Sequence, residues 1–273
     1  MLVAGLLFAC MGVCVKLGST HFSNVELVFY RSLIGLLVVT GILLQRGTSL
    51  RTRNWQGHLL RGISGTIALL LFFYCITALP LATAMTLNYT APLFLVVILT
   101  AVMKERFHAA LAVAIITGFL GIILLLHPAL ERNQLLPALL GLTSGLFAAI
   151  AMLNVRTLGK QGEPETRIVF YFSLIASLAS GMLLLTGAMH PPRLADLPIL
   201  AGMGLFATLA QLALTRAYST GKTLVAGSLS YSAIVFASLI GLLFWHEALP
   251  LDSWLGMTLV IASGITSLKF SRT

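Results

Sequence analysis

Gly5-Leu6-Leu7-Phe8-Ala9, followed by Val15-Lys16, recurs as Gly145-Leu146-Phe147-Ala148-Ala149, followed by Val155-Arg156. Further matches run outward from this pair in the same order. Phe29-Tyr30-Arg31-Ser32-Leu33 lies over Phe170-Tyr171-Phe172-Ser173-Leu174, and Asn88-Tyr89-Thr90-Ala91 over Ser230-Tyr231-Ser232-Ala233. Glu105, which closes one apolar stretch, lies over Glu247, which closes another, and the offset grows from 140 to 142. Each copy carries five long apolar stretches, from Gly5 to Gly121 and from Gly145 to Gly264. An odd number of crossings sends the second copy in from the opposite side of a membrane. The expected fold is an all-α integral membrane protein of ten transmembrane helices, built as two inverted five-helix repeats over residues 1–130 and 131–273.

Composition agrees. The chain is 58% hydrophobic and 9% charged, against roughly 25% charged in soluble proteins. A span needs about 20 apolar residues. The stretches that meet this are Leu2–Leu17, Val25–Leu44, His58–Ala78, Thr83–Met103, Ala109–His127, Leu135–Thr157, Arg167–Ala188, Leu197–Tyr218, Thr223–Trp245 and Leu251–Leu268. They are continuously apolar and about twice the length of a barrel strand, which excludes a β-barrel. The first stretch has no basic residue ahead of it and a repeat partner in the sixth, so it reads as a retained helix rather than a signal peptide.

The net charge of +9 follows from loop placement. With the N-terminus in the cytoplasm, the inner side holds Arg46, Arg51, Arg53, Arg61, Lys104, Arg106, Arg156, Lys160, Arg167, Arg216, Lys222, Lys269 and Arg272. The outer side holds Lys16, Arg31, Arg132 and Arg193. This positive-inside bias puts both termini in the cytoplasm, in a cytoplasmic (inner) membrane. Nucleic acid is not an expected partner; anionic lipid headgroups are. Cys10, Cys14 and Cys75 lie inside predicted helices, so neither a disulfide framework nor a metal site is indicated, and no cofactor is expected. Gly141 and Gly145, four apart in the sixth span, are read as internal packing rather than a dimer seam, and a monomer is expected.

Several short stretches carry a resemblance. They are Phe29-Tyr30-Arg31-Ser32, Ala78-Leu79-Pro80-Leu81-Ala82-Thr83-Ala84, Ala91-Pro92-Leu93-Phe94 and Lys104-Glu105-Arg106 in the first half. In the second they are Thr215-Arg216-Ala217, Ser230-Tyr231-Ser232-Ala233 and His246-Glu247-Ala248-Leu249. In order and with the repeat, they resemble the drug/metabolite transporter superfamily, and specifically its ten-helix EamA family. The resemblance covers essentially the whole chain. It implies a central cavity formed by spans 1, 3, 4, 6, 8 and 9, with spans 5 and 10 at the periphery.

Polar side chains in a bilayer core usually face the bundle interior or a watery cavity. Helical spacing puts Asn88, Tyr89 and Pro92 on one face of the fourth span, and Ser230 and Tyr231 on the equivalent face of the ninth. Gln211 and Thr215 share a stripe of the eighth; the third adds Tyr74 and the sixth Asn154. If the family arrangement holds, these converge on an aromatic-walled, substrate-binding cavity with amide and hydroxyl groups. Pro92 bends its span, as a hinge or a static kink. Arg31 and Lys16, near the outer ends of their spans, form an outer gate or vestibule, or else snorkel and pair with Glu26 and Glu247 to fix the helices.

All eight acids lie outside the mid-membrane region. The intramembrane Glu on which the small four-helix relatives depend is missing from the first span, which disfavours a carboxylate proton relay. No mid-span His stands by Ser228 or Ser230 to activate it, and His246-Glu247 lacks the second His of a zinc motif, so an enzyme is not expected. The expected function is a secondary transporter that moves a small organic metabolite by alternating access. Amino acids or amine-like compounds are the cargo the resemblance implies. The alternative is a flippase for a lipid or lipid-linked sugar.

Overall fold

The computed structural model describes residues 1–103, 113, 116–118, 120–121, 124, 134–185, 189–220, 226, 229–246 and 250–270. Among them the regular structure is helical: α1 (Leu2–Gly18), α2 (Asn24–Gln45), α3 (Trp55–Ala78), α4 (Leu81–Asn88), α5 (Ala91–Met103), α6 (Leu135–Lys160), α7 (Glu165–Leu184), α8 (Leu197–Ser219), α9 (Ser232–Trp245) and α10 (Leu251–Phe270). A short 3-10 turn, Leu194–Asp196, leads into α8. Most of the expected fifth span, the link between the repeats, Glu105 and Glu247 lie outside the described residues.

Five helical segments among the described residues are long and apolar enough to cross a membrane: Asn24–Gln45, Trp55–Ala78, Leu135–Lys160, Glu165–Leu184 and Leu194–Ser219. Leu2–Gly18, Ser232–Trp245 and Leu251–Ser263 are shorter and apolar. Exposure runs opposite to that of a soluble protein. Leu37, Leu60, Leu178 and Leu243 face outward, whereas Glu26, Arg31, Arg61 and Gln211 are buried. Such an exterior is compatible with hydrocarbon, and the helices satisfy their own backbone groups.

Local chemistry sets the helix ends. Ser23 and Glu26 form a reciprocal capping box at the start of α2, which satisfies two otherwise orphaned backbone donors. Gly47 and Gly162 follow α2 and α6 at φ +60° and +79°. Beyond them Thr48 N–H donates to the Leu43 carbonyl and Glu163 N–H to the Leu158 carbonyl. Both ends are Schellman closures, in which glycine takes the left-handed position at little steric cost. The second closure delivers Glu163 to the mouth of α7.

The fourth span differs from the expectation of one kinked helix. The helix stops at Asn88 and resumes at Ala91, with Tyr89 and Thr90 in a turn. Two local features converge. Pro92 has no N–H to offer the Asn88 carbonyl. Thr90 Oγ1 donates to the Leu87 carbonyl, and the Thr90 carbonyl accepts from Leu93 and Phe94, so Thr90 ends one helix and starts the next. Pro92 therefore sits in the first turn of α5 rather than inside a bent helix. The second half has a break in the equivalent place without a proline: a turn at Tyr231 precedes α9.

The helices pack in matched pairs. α3 lies on α6 and α1 on α8; α2 lies on α7; α2 also touches α8 as α3 touches α7. α1 meets α9, while α4 and α5 meet α6. Each of these is what exchanging the two halves would produce from its partner. α6 approaches the α4–α5 break through glycine. A Cβ at Gly145 would overlap Thr90 Oγ1 and stand 2.9 Å from the Leu87 carbonyl oxygen; one at Gly141 would stand 2.7 Å from Cys75 Sγ. Both glycines serve packing inside the chain.

Candidate functional site

A cavity of about 100 Å³, partly open to solvent, lies among these helix pairs. Its wall is mostly apolar, with Phe8, Met11, Phe72 and Met152 from α1, α3 and α6. The polar groups are few. Asn88 and Tyr89 come from the α4–α5 break, Gln211 from α8, and Arg31 and Arg61 from α2 and α3. An apolar wall with a few convergent polar groups is the usual form of a small-molecule site.

The two amides are prepared differently. Asn88 Nδ2 donates to Ser144 Oγ at 2.6 Å, and Ser144 Oγ donates to the Ala68 carbonyl at 3.0 Å. This chain ties α4 to α6 and α3, and it leaves Asn88 Oδ1 as the amide's free acceptor among the described residues. Gln211 is 6% exposed and makes no hydrogen bond to any described residue. A buried amide with no partner is costly unless water or a ligand completes it.

The arginines are the least expected feature. Arg31 is 4% and Arg61 5% exposed. Neither forms a hydrogen bond or ion pair with a described residue, and Arg31 Nε, Arg61 Nε and Arg61 Nη1 are buried without a partner. Both guanidinium groups lie against the ring of Phe172, at 5.1 Å and 4.1 Å from its centroid, in cation–π contact. Gly65 makes room for one of them, since a Cβ there would overlap Arg61 Nη1 and stand 2.9 Å from the Phe172 ring.

Of the residues singled out from sequence, Asn88, Tyr89, Gln211 and Arg31 are brought together at the cavity. Tyr74, Thr215, Ser230 and Tyr231 are not among its described lining residues. Thr215, Ser230 and Tyr231 are buried in the packed interior behind it. Asn154 donates to the Ile150 carbonyl and faces a separate, more polar pocket with Arg53, Asn54 and Gln161. Lys16 Nζ sits 5.0 Å above the Trp245 ring, joining α1 to α9 away from the cavity. Arg31 does not pair with Glu26: that carboxylate accepts from the backbone N–H groups of Ser23 and His190 and lies 3.1 Å from His190 Nδ1. Sequence reasoning placed Arg61 at the inner rim and gave Phe172 no role beyond its match to Arg31. That match was the available signal, because the repeat superposes the ring on the arginine it comes to face.

A second polar cluster closes the other end of the α2–α7 pair. Glu163 accepts from Thr52 Oγ1, from Asn54 Nδ2 at 3.2 Å and from Arg167 Nη1 at 2.8 Å, and His58 Nε2 lies 3.4 Å away. Arg167 Nε also donates to the Ser49 carbonyl at 2.9 Å, and the Tyr171 hydroxyl to the Leu50 carbonyl at 2.8 Å. Burial works against the charge on Glu163. The hydrogen bonds from Thr52 and Arg167, with the positive charge on Arg167 and on His58 when protonated, outweigh it and hold the pKa below the usual carboxylate value. Two ends of one helix pair are thus clasped by a glutamate each, Glu26 at one and Glu163 at the other.

The family model described as "EamA-like transporter family" matches the chain twice, over residues 1–127 and 135–268. An uncharacterized transporter of Helicobacter pylori is 30% identical over 272 residues, covering 97% of this chain and 91% of that protein. The pseudopaline exporter CntI of Pseudomonas aeruginosa is 30% identical over 271 residues, covering 99% and 94%. A riboflavin transporter of Vibrio cholerae is 28% identical over 270 residues, covering 96% and 89%. A solved crystal structure superposes with a TM-score of 0.73 at 18% identity, over 98% of this chain and 95% of that one, which places the fold.

Proposed function

We propose, from the premise that this chain belongs to the EamA-like transporter family, that it is a secondary carrier moving a small organic metabolite across the cytoplasmic membrane by alternating access. It is a multi-pass membrane protein, and its relatives include transporters named for small molecules, pseudopaline and riboflavin. The finer reading has ten spans in two inverted repeats, both termini in the cytoplasm, and a monomer as the working unit. The double family match and the matched helix pairs support the repeat, and the distribution of Lys and Arg supports the orientation.

One observation carries the reading. Asn88 and Tyr89 from one half and Gln211 from the other meet at a single cavity, beside a helix break that recurs in both halves. Discontinuous helices in corresponding places of two repeats mark the binding site of many carriers, because freed backbone groups and rocking of one repeat on the other coincide there. The clasps at Glu26 and Glu163 would then close opposite faces, each released as the cavity opens to its side. Pro92 eases the break in the first half, and Lys16 on Trp245 steadies α1 against α9.

Counterflow in proteoliposomes tests this. Batches preloaded with amino acids, amines, vitamins or nucleosides are followed for labelled tracer entry, with amino acids and amine-like compounds as the first classes. Saturable, trans-stimulated entry is expected. Asn88→Ala and Gln211→Ala should each cut it by about tenfold, the worth of one or two hydrogen bonds in a site closed to water, with the yield of folded protein retained. Unchanged entry in both variants removes the site. Absence of counterflow with lipid scrambling in the same vesicles replaces the carrier with a flippase.

A further inference from the structure

Arg31 and Arg61 stand out because no described residue gives either one a hydrogen bond or a carboxylate. Arg31 is the eighth residue of α2 and Arg61 the seventh of α3, so each lies roughly 10 Å along its helix from the N-terminus. Neither is at a rim where a long side chain reaches water easily. Both converge on one ring, Phe172, and both line the central cavity. Among the described residues no carboxylate lines that cavity, and neither arginine has an ion-pair partner. The described acids nearest in sequence are committed elsewhere, Glu26 to Ser23 and His190, Glu163 to Thr52, Asn54 and Arg167.

Two buried like charges against one ring oppose folding unless something compensates. Cation–π contact with one phenyl ring offsets only part of that opposition. Gly65 shows that room for the Arg61 guanidinium is built in, since any larger residue would fill the space it occupies. A guanidinium presents a flat fork of donors, which fits carboxylate and phosphate oxygens two at a time.

We propose that Arg31 and Arg61 form an oxyanion clamp, with Phe172 as its backing, and that the cargo carries a matching dianionic group, a dicarboxylate or a phosphate ester. Asn88 Oδ1 and the Gln211 amide then read the remainder of the molecule. The clamp disfavours simple amines, which would add a third positive charge. This inference rests on the carrier reading for its cargo, but its binding arm stands without it.

The test uses the full chain in nanodiscs, with inorganic phosphate, succinate and putrescine as probes at matched ionic strength. Phosphate or succinate is expected to raise the melting temperature in a saturable way, and putrescine is not. The stronger of the two anions identifies which source of charge the clamp prefers. Arg61→Gln and Arg31→Gln should weaken that anion by at least about tenfold, since each removes a charged fork. Without anion, both variants should melt at the same temperature as the wild type or above it, because an uncompensated buried charge has gone. Gly65→Ala, which displaces Arg61 without removing its charge, should weaken the anion as well.

Two results overturn the clamp. One is a wild type that no anion stabilises. The other is Arg→Gln variants that melt lower yet keep full anion affinity, which would make the arginines structural. The same preparations in proteoliposomes separate the two readings. Counterflow of an uncharged or cationic cargo, unaffected by either Arg→Gln change, overturns the clamp and keeps the carrier. Saturable anion binding with no counterflow of any preloaded compound, the bound anion included, keeps the clamp and overturns the carrier.

Discussion

Gly145→Ala is expected to remove about 3 kcal/mol of stability or to prevent the fold from forming. Overpacking a close helix contact costs about 1–3 kcal/mol, and here the new methyl meets groups that cannot step aside. It would overlap Thr90 Oγ1 and stand 2.9 Å and 3.3 Å from the Leu87 and Asn88 carbonyl oxygens. Those carbonyls belong to the α4–α5 break, so the damage reaches Asn88 and the cavity. Gly41→Ala is the matched control. Nothing stands within 4 Å of a Cβ at Gly41, and replacing helical glycine with alanine stabilises by up to about 1 kcal/mol. Thermal melts in detergent should move in opposite directions for the two variants. A Gly145→Ala protein that melts with the wild type would show that α6 does not rest on the break.

Glu163→Gln is expected to cost about 3 kcal/mol near neutral pH, in the range for breaking a buried, hydrogen-bonded ion pair. It leaves Arg167 without its carboxylate and weakens the hold on Thr52 and Asn54. Acid should have a related effect on the wild type. The pKa of Glu163 is lower in the folded protein than in the unfolded chain. Its contribution is therefore complete above the unfolded carboxylate value of about 4.3 and fades as pH falls through the folded value. The wild-type melting temperature should drop along that acid limb, and the variant's should drop less. Parallel acid limbs in the two proteins would remove Glu163 as their source.

The sequence made the break near Asn88 visible only in part. Proline at position 92 announces a disturbed helix, and the expectation was a bend within one span. The actual stop at Tyr89 and Thr90 depends on Thr90 Oγ1 closing the Leu87 carbonyl and on Gly145 lying against the exposed backbone. The second of these is a contact between halves of the chain. The turn at Tyr231 had no proline to signal it. Helical periodicity points Asn88, Tyr89 and Gln211 inward, and all three line the cavity. It could not separate facing a cavity from facing another helix, which is where Tyr231 and Thr215 went: a stripe fixes direction from the axis and not what stands opposite.

The amino-acid sequence by itself determined the helical membrane class, the order of the apolar segments, the repeat and the family. All of these are written in hydropathy and spacing along the chain, where neighbours in sequence are neighbours in space. Only the tertiary structure decided the character of the site. Arg31, Arg61 and Phe172 lie on three helices drawn from both halves. Arg31 and Arg61, which counting had assigned to opposite rims, lie about two turns in along their helices, and the packing of α2 and α3 on α7 brings both onto the same ring. Charge is a property of residues, but whether a charge is neutralised is a property of what the fold places beside it.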